Sequence, residues 1–205
     1  RWLAALEDAM ARHAVAAAAA RRALVQRLNA LLASGTATGA FPAASLALLD
    51  PVAAWLDEAP ALAVEDRLRD ALAANRARDA AAGGAAIGAH RADLGMTHLP
   101  KDLPAELCST GEQKALLVSV VLAHAALIGA ARGFAPLLLL DEVAAHLDQR
   151  RREALYAALA SLPAQVFLTG TEPDIFAPLQ GSAEGFRATP SGLVPLPEFP
   201  VPNPV

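Results

Sequence analysis

Two adjacent carboxylates, Asp141 and Glu142, stand directly after four leucines, Leu137 to Leu140. Such a run reads as a strand buried on both faces, as in a parallel sheet. Open α/β sheets hold their ligands just beyond the carboxyl ends of their strands. A strand that delivers paired acids there suits a Walker B role. The first acid helps hold Mg²⁺, and the second orients or deprotonates a water. The plainer alternative is a core strand that ends in a solvated turn.

Upstream, Ser109-Thr110-Gly111-Glu112-Gln113-Lys114 opens a long apolar stretch. Ser109 is a good N-cap, Gly111 leaves the backbone accessible, and Lys114 adds positive charge. A helix N-terminus offers unpaired N–H groups and the positive end of the dipole, which together receive a phosphate. A capped helix with no ligand has the same pattern. A third cluster, Gly88-Ala89-His90-Arg91-Ala92-Asp93-Leu94, gathers His, Arg and Asp. On spacing alone it is read as a turn with a local ion pair.

These groups need elements to carry them. Residues 1 to 33 read as one long helix, with Trp2, Leu3, Leu6, Met10, Leu24, Leu28, Leu31 and Leu32 at helical spacings. Arg12, Arg21, Arg22 and Arg27 line its polar side, as a solvated face or, alternatively, a DNA-contacting stripe. Ser34 to Gly39 breaks the helix into a loop. Residues 43 to 49 suit a short strand, and Trp55 and Leu56 a turn or short helix. A second long helix runs from about residue 64 to Gly83-Gly84, with Leu62, Leu68 and Leu72 on its apolar side and mixed charges opposite. Residues 115 to 131 form a helix apolar almost all round, hence buried. Asp148 to Leu162 is a charged helix, and Gln165 to Thr169 a further parallel strand ending in Gly170-Thr171-Glu172. Phe186 to Thr189 and Leu193-Val194 suit a hairpin, followed by a Pro-rich tail that is read as disordered.

The bulk numbers narrow the function classes. Net charge is −4, from 17 basic against 21 acidic residues, so nucleic-acid contact would need a local patch. Apolar residues make up 55%, with alanine the commonest of them, and aromatics only 4%, which favours a helix-rich core and leaves few rings for base stacking. Cys108 is the single cysteine, so no internal disulfide forms and a reducing, cytoplasmic setting fits. No membrane-spanning segment and no signal peptide are expected in this stretch. The chain opens on Arg1 and is read as a piece of a longer protein.

Taken jointly, the order and spacing of these motifs resemble the C-terminal half of an ABC-type ATPase head. Within that group the chain resembles the RecF family of bacterial recombination mediators. The match rests on Gly88 to Leu94, Ser109 to Lys114, Leu137 to Asp148, and Gln165 to Thr171, with Arg76-Ala77-Arg78-Asp79 before them. The resemblance implies an α/β fold, an ABC/SMC-type head with a parallel sheet flanked by helices and an inserted helical arm. It divides the chain into an arm at 1–82, a head portion at 83–185, and a hairpin with tail at 186–205. It implies that Asp141 helps hold Mg²⁺ and Glu142 polarises the attacking water. Ser109, Thr110, Gly111 and Gln113, with Lys114, would form the signature loop capping the γ-phosphate of ATP bound on the opposite subunit. Asp148 would sit in the D-loop across that interface. Thr171 would take the switch position, where many ABC proteins place a histidine.

The implied activity is slow ATP hydrolysis coupled to ATP-dependent homodimerisation on DNA at single-strand gaps or junctions. The implied work is replication, recombination and SOS-response repair, with partner mediators such as RecR and no membrane. No G-x-x-x-x-G-K-[ST] loop occurs in the 205 residues, so nothing in them cradles the α- and β-phosphates. The polypeptide alone is therefore expected neither to bind ATP well nor to hydrolyse it. Two alternatives differ in task or class. One is another SMC-like or overcoming-lysogenization-type head, and the other is a non-catalytic helical interaction module with a vestigial ATPase fold.

Overall fold

The structure, a computed structural model, describes residues 1–35, 41–134, 136–197 and 199, with residue 146 described by its backbone alone. The loop read at Thr36 to Gly39 and the tail from Val201 onward lie outside the described residues. Two compact units form, one from residues 1–34 and 43–108, the other from 35–42 and the chain from 109 onward.

In the first unit, α1 (Trp2–Ser34) packs against α2 (Pro51–Glu58) and α3 (Ala61–Ala82). Its core is narrow: Ala11, Ala14, Val15 and Ala18 of α1 meet Val52, Ala53, Val64, Leu68 and Leu72. Alanines bring the helix axes close, so the buried face is the alanine face. The leucine-rich start of α1 is not the buried part: Trp2 is 75% exposed, and Leu3 and Leu6 are also exposed. Leu62, expected on the apolar side of α3, is exposed too, because it stands about 200° round the helix from Val64, which shares the buried face with Leu68 and Leu72. Asp50 N-caps α2, accepting from the Val52 N–H at 2.8 Å, and Pro51 supplies the preset φ at the helix start.

Three antiparallel strands complete this unit: β1 (Ala44–Leu49), β2 (Asp93–His98) and β3 (Leu103–Pro104), in the order β1-β2-β3. Asn29 of α1 closes the open edge of β1. Its amide donates to the Leu46 carbonyl and its carbonyl accepts the Leu46 N–H, both at 2.8 Å. The pairing of Leu49 with Asp93 and of Ala44 with His98 holds 93–98 in the same unit as the helices.

The second unit contains α4 (Thr110–Arg132), β4 (Leu138–Leu140), α5 (Gln149–Ser161), β5 (Val166–Leu168) and a hairpin of β6 (Phe186–Thr189) and β7 (Gly192–Pro195). β4 and β5 pair in parallel, with Leu139 opposite Phe167 and Leu140 opposite Leu168, and α5 makes the crossover. Val118, Leu122 and Ala125 of α4, Leu138, and Leu155, Tyr156 and Leu159 of α5 form the core.

Two burial expectations are corrected here. The leucine strand is not buried on both faces: Leu138 is buried, but Leu139 is 76% exposed and Phe167 opposite it is 49% exposed. The core gathers on the face that carries Leu138 and Leu140, while Leu139 and Phe167 on the other face stay exposed. Similarly, α4 is buried on one side only. Leu117 is 58% exposed, whereas Ala115, Leu116, Ser119, Leu122 and Ala123 are buried. By length and composition α4 is also the one helix among the described residues apolar enough to cross a membrane.

Candidate active site

β4 ends where its carboxylates begin. The Thr169 N–H donates to the Leu140 carbonyl at 3.1 Å, extending the parallel pairing by one residue. This brings the Thr169 hydroxyl to Asp141 and Glu142. The hydroxyl donates to Asp141 Oδ1 and accepts the Glu142 N–H at 3.1 Å. Glu142 has a φ of +50°, in the left-handed region that non-glycine residues seldom occupy. Both acids are exposed, at the carboxyl end of the parallel strand.

Thr169 is itself held from behind. Gly170 follows it, and a Cβ there would lie 2.8 Å from the Phe176 ring and 2.9 Å from Ile175. Both belong to a short 3-10 segment, Pro173–Leu179. The segment is tied to α5 by the Tyr156 hydroxyl, which donates to the Ile175 carbonyl at 2.7 Å. Burial pushes the Tyr156 phenol upward from its ordinary pKa.

At the start of α4, the Glu112 carboxylate turns back on Ser109. It accepts from the Ser109 N–H at 3.0 Å and from its hydroxyl at 2.9 Å. This is the reciprocal arm of a capping box. Thr110 and Gln113 are exposed, while Gly111 and Lys114 are half-buried. Arg151 of α5 reaches the same tip, its Nη1 lying 3.7 Å from where a Cβ on Gly111 would stand. Asp148 N-caps α5, accepting the Arg151 N–H at 2.8 Å, with its other oxygen 3.7 Å from Arg151 Nε. The structure thus brings Gly111, Arg151 and Asp148 together, and separately Asp141, Glu142 and Thr169. Thr171 is exposed in the bend after β5.

Sequence reasoning had singled out neither Thr169 nor Arg151. Arg151 stands in the middle of three consecutive arginines, Arg150 to Arg152, in a helix marked only by its charge. Thr169 stood at the end of a strand whose register with β4 no local pattern reveals.

The Gly88 cluster makes a tight local turn. Gly88 is buried at φ +139°, and a side chain there would meet the His90 ring at 3.2 Å. His90 Nε2 lies 2.8 Å from the Ala85 carbonyl oxygen, and Arg91 Nε donates to the same oxygen at 3.1 Å. Three arginines of α1 also find partners within the first unit. Arg12 pairs with Asp8, Arg22 with Asp57, and Arg21 donates to the Ala89 carbonyl.

The acids fit Mg²⁺. It takes oxygen ligands and is usually held by one or two carboxylates together with substrate phosphates. Asp141 is such a carboxylate, exposed at a strand end. Among the described residues no group of three or more His, Cys, Asp or Glu side chains gathers into an all-protein cage.

No family model matches the chain. Curated relatives do. A protein of Mesorhizobium japonicum named DNA replication and repair protein RecF is 52% identical over 184 residues, which is 90% of this chain and 48% of that protein. Proteins of the same name from Rhizobium meliloti and Brucella abortus are 48% and 45% identical, each over 94% of this chain. The chain is a homologue of RecF over about half that protein's length. The fold agrees. A solved structure titled as the recombination mediator protein RecF-ATPrS in the RecFOR pathway superposes with a TM-score of 0.73. It is 15% identical and matches 95% of this chain against 50% of its own. A second, titled RecF-ATP, superposes with a TM-score of 0.66 over 84% of this chain. The α/β fold of helices around a small parallel sheet is therefore shared with about half of each of those RecF structures.

Proposed function

We propose that this chain is the signature-loop and Walker B half of a RecF-type DNA-repair ATPase, acting in the cytoplasm. The observation that carries the reading is the display of Asp141 and Glu142 at the carboxyl edge of a parallel strand, in a chain 52% identical to a RecF over most of its length. Asp141 would hold Mg²⁺ bound with ATP, and Glu142 would orient the attacking water. Mg²⁺ supplies charge neutralisation at the phosphates when bound. The tip at Ser109, Thr110, Gly111 and Gln113, with Lys114, would cap the γ-phosphate of a nucleotide carried by a second copy, and Asp148 would sit in the D-loop across that interface.

Such a split site makes ATP a bridge between two heads. The full-length protein would dimerise with ATP on DNA at single-strand gaps, support recombinase loading with mediators such as RecR, and separate after slow hydrolysis. The 205-residue chain, which carries no G-x-x-x-x-G-K-[ST] loop, would be inactive alone.

The test is sedimentation of the full-length protein with and without ATP, in wild type, Ser109→Arg and Glu142→Gln. The wild type dimerises with ATP. Ser109→Arg stays monomeric while keeping its fold, and Glu142→Gln dimerises but does not turn over. Dimers indifferent to ATP and to Ser109→Arg would refute the reading.

A further inference from the structure

We propose that Thr169 is a positioning residue that holds Asp141 and Glu142 in the arrangement their chemistry uses. The inference rests on the ATPase reading above and assigns a residue that reading leaves without a role.

Three observations converge on this side chain. One hydroxyl engages both acids at once, through the carboxylate of Asp141 and the backbone N–H of Glu142. The N–H it accepts belongs to a residue at φ +50°, a conformation that persists only where surrounding contacts over-determine it. The hydroxyl itself is fixed in place. The Thr169 backbone bonds to Leu140, and Gly170 admits Phe176 and Ile175 so closely that the strand end has little room to shift.

The chemistry follows from the geometry. Donation to Oδ1 orients the Asp141 carboxylate and leaves Oδ2 for a cation. Acceptance from the Glu142 N–H holds the backbone turn that aims the Glu142 side chain. Without the hydroxyl, Asp141 rotates freely and the left-handed turn loses a partner. Partners of this kind, acting through another group, typically change activity by roughly 10–100-fold.

The test uses the full-length protein with Thr169→Val, which keeps the shape, Thr169→Ala, which removes it, and Thr169→Ser, which restores the hydroxyl. The first readout needs no nucleotide. Amide hydrogen exchange at Glu142 should quicken by about tenfold in the Val and Ala variants and stay near wild type in Ser. The second readout is turnover. The Val and Ala variants should lose roughly 10–100-fold in kcat, with ATP affinity within about twofold of wild type and Ser retaining most activity. Unchanged Glu142 exchange in both Val and Ala would overturn the proposal, as would faster exchange with unchanged kcat. A wild-type protein with no turnover at all would sink the ATPase reading itself, and with it the catalytic purpose given to Thr169, even if the amide stayed protected.

Discussion

Arg76 of α3 grips Glu7 of α1 along one edge of its guanidinium, Nε donating to Oε1 at 2.5 Å and Nη2 donating to Oε2. Glu7 is buried, while Arg76 lies at the surface. The pair staples the two long helices of the first unit beside their alanine contacts. Bidentate geometry of this kind is the stronger form of ion pair.

That pair makes stability depend on acid. Hydrogen bonding from Arg76, and then its charge, hold the Glu7 carboxyl below its ordinary pKa against the opposing effect of burial. The folded state therefore binds fewer protons here than the unfolded chain. The contribution is complete above the unfolded carboxylate pKa and is lost as pH falls through the folded value. Urea denaturation should show the first unit losing stability as pH drops below about 4, and Glu7→Gln should flatten that part of the profile. An identical acid slope in wild type and Glu7→Gln would remove the pair from the account.

Gly170 should tolerate no side chain cheaply. Its Cβ would press on Phe176 at 2.8 Å and on Ile175 at 2.9 Å. Overpacking of this kind costs about 1–3 kcal/mol. Gly170→Ala should lower the thermal midpoint of the second unit, and Gly170→Ala with Phe176→Leu should recover part of the loss. No change in the midpoint would mean that the 3-10 segment gives way freely.

The uncovered side of the β4-β5 pair should make the 205-residue polypeptide adhesive. Leu139 and Phe167 face each other in register and are both exposed, with Leu137 exposed at the strand entry. Parallel sheets are ordinarily covered on both faces, and large exposed apolar patches promote association. Leu139→Lys with Phe167→Lys should reduce light scattering and dye binding without changing helix content by circular dichroism. Equal aggregation in the double variant would place the sticky surface elsewhere, with exposed Trp2 and Leu3 the next to test.

Much of this architecture was legible residue by residue. Apolar periodicity marks α1 and α3, because a 3.6-residue repeat is a local property of the chain, while a nearly continuous apolar stretch marks α4 and a charged segment between two apolar runs marks α5. The leucine run and Gln165 to Thr169 announced β4 and β5, and Asp141, Glu142 and the glycine-bearing helix start stood out by residue type alone. Tertiary structure decided which faces are covered. Trp2, Leu62, Leu117 and Leu139 carry apolar side chains at plausible core spacings, yet all are exposed, because burial depends on a neighbour and not on the residue. It also decided the register. The partner of Asp141 is Thr169, 28 residues further along the chain, and only the parallel pairing of Leu140 with Leu168 sets those two side chains against one another. A hydrogen bond between strands is a fact about their alignment, which no single strand encodes.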